Sequence, residues 1–147
     1  MRLTRGADYG IRCILYLAKQ GGERAVLLRD ISQAEEVPQS FLAKIFHTLG
    51  KAGLVKSRRG ANGGFFLARP ADRITLRELI EALEGPIALN MCLIREGECD
   101  RSDVCPVHPV WVEAQERMLE VLERATVAQL VEKSAPSPRS RSRRRRS

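Results

Sequence analysis

Apolar residues recur at helical spacing from Asp8 to Lys19, where Tyr9, Ile11, Ile14, Leu15, Leu17 and Ala18 make one broad face. The pattern predicts a first helix, ended by Gly21-Gly22. A shorter helix is expected from Leu28 to Glu36, with Leu28, Ile31 and Ala34 inward, before Val37-Pro38 breaks the chain. Ser40 has the side chain to cap a third helix over Phe41–Lys51. That helix carries Phe41, Leu42, Ile45, Phe46 and Leu49 on its apolar side. Its other side presents Gln39, Ala43, Lys44, His47, Thr48 and Lys51. Two short helices joined tightly, the second polar on one side, form a helix-turn-helix pattern. Strands are then expected over Leu54–Ser57 and Phe65–Ala68, with Asn62-Gly63-Gly64 supplying the positive φ of a tight turn. A helix-turn-helix followed at once by a hairpin predicts a mainly α winged helix-turn-helix fold with a small β wing.

The second half is less regular. After a linker at Pro70, Thr75 is placed to cap a helix over Leu76–Leu83, and Thr75-x-x-Glu78 has the form of a capping box. A long helix is expected from Val107 to Ala125. Val107, Trp111, Ala114, Met118, Val121 and Ala125 are spaced by alternating fours and threes, and Leu119 and Leu122 widen the stripe. Such spacing makes a helix–helix seam. Packing onto its own domain would explain it, but a dimer seam is favoured because winged helices read paired half-sites. Ala128, Leu130 and Val131 suggest a short docking helix. The chain divides into a winged helix-turn-helix domain (1–85), a cysteine-rich loop (86–106), a dimerisation helix with docking segment (107–133) and a disordered Arg-rich tail (134–147).

Charge sharpens this division. Six of the 25 basic residues are arginines of the tail, which has no acid; the remaining 19 face 18 acids. Pro38–Arg69 holds Lys44, Lys51, Lys56, Arg58, Arg59 and Arg69 with no acid at all, whereas Cys92–Glu132 is strongly acidic. One face is suited to polyanions. Gln39, Ser40, Lys44, His47 and Lys51 on the third helix, with Arg58, Arg59 and Asn62 on the wing, are the candidate contacts to a double-stranded DNA operator. No apolar run approaches the ~20 residues needed to cross a bilayer, and no export signal is visible, so a cytoplasmic protein is expected. Neither a phosphate-binding glycine loop nor a paired-carboxylate motif is present, which argues against an enzyme.

Cys92–His108, CLIREGECDRSDVCPVH, carries the other chemistry. Cys92, Cys99 and Cys105 stand at C-x6-C and C-x5-C, followed by His108 at C-x2-H, in a loop with little apolar material. A polar loop is ordered more cheaply by something it wraps than by its own packing. Thiolates are the preferred ligands of zinc and iron–sulfur clusters, and imidazole can complete either site. The C-x2-C knuckles of zinc ribbons are missing, so zinc is the weaker metal reading. Free or paired thiols, and hence a cluster-free thiol switch, remain the alternative. Cys13, within IRCILYLA, reads as a buried small hydrophobe.

The segments MRLTRGADYGIRCILYLA and DISQAEEVPQSFLAKIFHTLGKAGLVKSRRGANGGFFLARPA, with the three-cysteine loop ending CPVHPVW, resemble the Rrf-type winged-helix regulators over residues 1–133. That family includes the iron–sulfur cluster regulator, the nitric-oxide-sensitive repressor and relatives controlling cysteine metabolism. The resemblance implies a homodimeric DNA-binding transcription factor, a repressor in type, with a cluster in its cysteine loop near the dimer interface. His108 stands where the cluster regulator's histidine completes a [2Fe-2S] site. Asp8 stands where the repressor's carboxylate, donated by the second protomer, completes a [4Fe-4S] site. GADYG and GANGG look more like the repressor, and the C-x2-H ending more like the cluster regulator; the C-x6-C gap departs slightly from the family's commonest spacing.

Overall fold

The computed structural model describes residues 2–95, 97 and 99–134; the arginine-rich stretch beyond Ser134 lies outside them. Helix α1, Arg5–Lys19, begins earlier than Asp8 because the Thr4 hydroxyl accepts the Ala7 N–H at 3.2 Å. It buries Ala7, Gly10, Cys13, Ile14 and Leu17. Gly10 permits close packing, since a Cβ there would stand 2.6 Å from Leu83 Cδ1 on α4 (Leu76–Glu84).

Helix α2, Leu28–Glu35, ends at Glu36, which adopts φ 57°, the left-handed conformation that stops a helix. Ile31 is buried as expected, but Ala34 is exposed. Helix α3, Gln39–Lys51, follows at once. Ser40 is not its cap: the Leu42 N–H donates to the Pro38 carbonyl at 2.9 Å, so the helix begins at Gln39 and Ser40 lies inside its first turn. Proline at the entry already supplies helix-compatible φ without needing a donor. Leu42, Ile45, Phe46 and Leu49 are buried, whereas Phe41 stays at the surface and meets Tyr9 edge-on at 5.8 Å.

Strands β1, Val55–Arg58, and β2, Gly64–Leu67, pair antiparallel with Val55 opposite Leu67 and Arg58 opposite Gly64. The turn uses Gly60 (φ 105°) and Gly64 (φ 134°) for its positive φ values, not Asn62 and Gly63. Gly64 is also hemmed in by the Val26 backbone. Val26 exchanges both backbone hydrogen bonds with Phe65, each 2.8 Å, so the wing is extended by a third strand-like piece. Phe65 stacks on Phe46 at 4.7 Å and fixes the wing to α3.

The capping box at Thr75 is formed with both hydrogen bonds, and α4 buries Leu79 and Ile80. After Ile87 and a short 3-10 turn at Met91–Leu93 comes the cysteine loop, then α5, His108–Arg124. Helix α5 packs along α4 yet buries none of its residues. A second capping box, Thr126 with Gln129, starts α6, Val127–Lys133. Backbone hydrogen bonds from Leu76 to Ala125 and from Val127 to Ile74 clamp the start of α6 to the start of α4. Val127 thereby joins the core formed by α1–α4. Among the described residues no helix is long and apolar enough to cross a membrane.

Candidate functional site

Two surfaces gather the sequence-predicted residues. On α3, Gln39, Ser40, Lys44, His47 and Lys51 are all exposed, opposite the buried Leu42, Ile45, Phe46 and Leu49. Ser40, Lys44, His47 and Lys51 follow steps of four, three and four, which places them along one side of the helix. Arg58, Arg59 and Asn62 are exposed on the wing. A cleft of ≈ 680 Å³ separates α3 from the wing and is lined by His47, Lys51, Lys56 and Ser57 among others. Lys56 is absent from the predicted contacts although it stands in the same acid-free run; its place on β1, beside α3, brings it to this cleft. The Arg58 guanidinium lies 5.2 Å from the Phe66 ring centroid, a cation–π contact that holds the arginine to its strand.

The second surface is the cysteine loop. Cys92 sits in the Met91–Leu93 turn, and Asn90 caps that turn by accepting the Met91 N–H at 2.8 Å. The Ser102 hydroxyl donates to the Cys99 carbonyl at 2.7 Å. The Cys105 carbonyl accepts the His108 N–H at 3.2 Å where α5 begins. Cys92, Cys99 and His108 line one hollow of ≈ 600 Å³; Cys105 and Asp8 do not line it. Asp8 is exposed in the first turn of α1. All four cysteines are free thiols. Among the described residues no three His, Cys, Asp or Glu side chains converge closely enough to hold a metal ion.

His108 Nδ1 is buried and has no hydrogen-bond partner among the described residues. A buried polar atom left unpaired costs roughly 1–3 kcal/mol, and coordination to a metal is one way to satisfy an imidazole nitrogen. The two thiols and the imidazole on this hollow are donors of the kind a thiophilic metal prefers, although they do not converge at metal-ligand distances. Cys13 differs in kind: burial, aided by the charge of Glu35 and opposed by Arg12, pushes its thiol up to about 12, so it stays protonated.

These surfaces belong to a chain with clear relatives. Protein rrf2 of Nitratidesulfovibrio vulgaris is 34% identical over 140 residues, covering 95% of this chain and 93% of that protein. The HTH-type transcriptional regulator IscR of Xenorhabdus nematophila is 36% identical over 131 residues, covering 89% of this chain and 79% of that protein. The structure of CymR, the global cysteine regulator of B. subtilis, superposes with a TM-score of 0.75 at 31% identity, covering 92% of this chain and 99% of that one. The family model described as "Rrf2: Iron-dependent Transcriptional regulator" matches residues 3–133, so this chain belongs to the Rrf2 family and is a winged-helix, DNA-binding transcriptional regulator rather than an enzyme.

Proposed function

We propose that the protein is a homodimeric, cytoplasmic repressor that reads an operator with α3 and the wing and senses redox state, nitric oxide or iron–sulfur status through its cysteine loop. The observation that carries the sensing half is the hollow shared by Cys92, Cys99 and His108, with His108 Nδ1 buried and unpartnered. Cys92, Cys99 and Cys105 would hold an iron–sulfur cluster, with His108 completing a [2Fe-2S] centre or Asp8 of the partner subunit completing a [4Fe-4S] centre. When bound, such a cluster supplies a centre that reacts with nitric oxide and oxidants.

The chain's own part is to convert order in the loop into geometry on the DNA. From Met91 to Val107 no described residue is buried, so the order of this stretch depends on what its thiols hold. His108 is the first residue of α5, so any reordering of the loop reaches that helix directly. Val107, Trp111, Ala114 and Val121 leave an exposed apolar stripe on or beside α5 for a second copy. A shift of α5 against its mate would alter the spacing of the two α3 helices, and a coupling of ~1.4 kcal/mol changes operator occupancy tenfold. Gln39, Ser40, Lys44, His47, Lys51, Arg58, Arg59 and Asn62 are the proposed DNA contacts.

Anaerobic purification with iron and sulfide analysis tests this, alongside an operator selected from a random duplex pool. The wild type should be coloured and lose operator response when Cys99→Ala is introduced. A Cys99→Ala protein that still responds fully to nitric oxide or oxidant would sink the proposal. Loss of iron in His108→Ala but not Asp8→Ala would assign the fourth ligand to His108, and the reverse to Asp8. A cluster-free thiol switch is the second reading, favoured by the two free thiols Cys92 and Cys99 on one hollow. It predicts protein that stays colourless after reconstitution yet changes DNA affinity on oxidation; bound zinc without any redox response would point to a zinc-stabilised regulator.

A further inference from the structure

The wing is not a free hairpin. Val26 is hydrogen-bonded to Phe65 in both directions, and the Leu67 N–H donates to the Gly22 carbonyl at 2.8 Å. The segment Gly22–Val26 is therefore tied to the wing at both of its ends. Between this segment, the end of α1 and the wing tip lies a second cleft of ≈ 540 Å³, which shares no lining residue with the α3 cleft. Arg24, Arg58, Gln20, Tyr16 and Asn62 line it. Arg58 is already held by Phe66, and Arg24 forms no ion pair among the described residues. Asp30 lines the cleft too, but Arg29 stands 3.9 Å from it and offsets its charge.

Two guanidinium groups and two carboxamides around one cleft make a donor set for phosphate: guanidinium N–H groups match its oxygens in pairs, and carboxamides add further donors. We infer that this cleft seats a backbone phosphate of the DNA duplex, with Arg24 and Arg58 as its ligands. Arg24 thus becomes a DNA contact outside both the helix-turn-helix and the acid-free run. The inference rests on the DNA-binding reading of the wing, whose tip residue Asn62 forms the rim of the same cleft. A phosphate on the duplex is favoured over a free one because the rim is the segment that approaches DNA.

The test is the salt dependence of binding, measured by fluorescence anisotropy on a selected operator and on an unrelated duplex. Each phosphate contact adds ~0.9 to the slope of log K against log salt. Arg24→Ala should lower that slope by about 1 on both duplexes, as Arg59→Ala should if it also meets the backbone. Arg24→Glu should weaken both complexes further, with an unchanged circular dichroism spectrum. An unchanged slope in Arg24→Ala on both duplexes overturns the inference. So does competition by millimolar inorganic phosphate that Arg24→Ala abolishes while DNA slopes stay fixed, which would reassign the cleft to a free anion. Wild-type protein that binds neither duplex would overturn the DNA reading itself, a result that no Arg24 variant could imitate.

Discussion

The winged-helix body and the segment from the cysteine loop through α5 are built on opposite principles. In the body, α1–α4 and the wing share a core that includes Ile14, Leu17, Ile31, Phe46 and Leu79, each nearly or wholly buried. Between Ile87 and Val127 no described residue is buried. The body is held by full apolar burial, whereas the second segment relies on half-buried packing of α5 along α4, on a few hydrogen bonds, such as Leu89 N–H to Gln115 Oε1 at 3.0 Å, and on ion pairs such as Arg77 with Glu123 at 3.8 Å. Half-exposed pairs of this kind contribute ~1 kcal/mol or less. A region so weakly committed to its own chain is open to ordering by a ligand, which is the property the proposed sensing needs.

The contrast is testable through the cysteines first. Cys13 is fully buried and its thiol is held protonated, while Cys92, Cys99 and Cys105 are half-exposed. In metal-free protein at mildly alkaline pH, a thiol reagent should label the three loop cysteines promptly and Cys13 only on unfolding, slower by ~10³-fold or more. Peptide mapping that finds Cys13 labelled with the others would dissolve the distinction between the regions.

Smaller effects come from truncating side chains in each region. Phe46→Ala removes a ring packed between α3 and the wing and should lower stability by ~3–5 kcal/mol in urea unfolding. Trp111→Ala, at a side chain 38% exposed, should leave monomer stability nearly unchanged but weaken self-association measured by sedimentation, by ~2 kcal/mol if Trp111 lies at the centre of the seam. The smallest change is at α4, where Thr75→Ala removes a cap and should cost ~1 kcal/mol. Its partner adds a pH dependence. Partial burial raises the Glu78 carboxyl, but the Thr75 backbone N–H and the Arg69 guanidinium outweigh it and hold the group below its ordinary value. A depressed carboxylate stabilises the fold above its unfolded pKa and loses that contribution as pH falls through its folded pKa. Glu78→Gln should therefore flatten the acid side of the stability curve below the ordinary glutamate range.

Much of the body was legible in the residues because local patterns and tertiary packing agree there. The periodicity around Ile14 and Leu17, the Thr75-x-x-Glu78 box and the glycine-rich wing each name their own structure. Ser40 misled, since a serine just ahead of the apolar run satisfies the cap rule while the Pro38 carbonyl already starts the helix two residues earlier. The stripe on α5 was visible, but not how it divides: Met118, Leu119 and Leu122 are half-buried, while Val107, Trp111 and Val121 stay exposed. Spacing alone marked three thiols and an imidazole without showing that Cys92, Cys99 and His108 share a hollow that Cys105 does not line.

What the chain by itself determined is the set of helices, the basic wing and the presence of a thiol loop, because helical period, turn chemistry and charge are properties of near neighbours. Only the tertiary structure decided that Val26 joins the wing, that α6 returns to the core and that Arg24 stands with Arg58 across one cleft. Those pairings bring together residues tens of positions apart, and backbone hydrogen bonds and buried side chains that carry no local pattern select them.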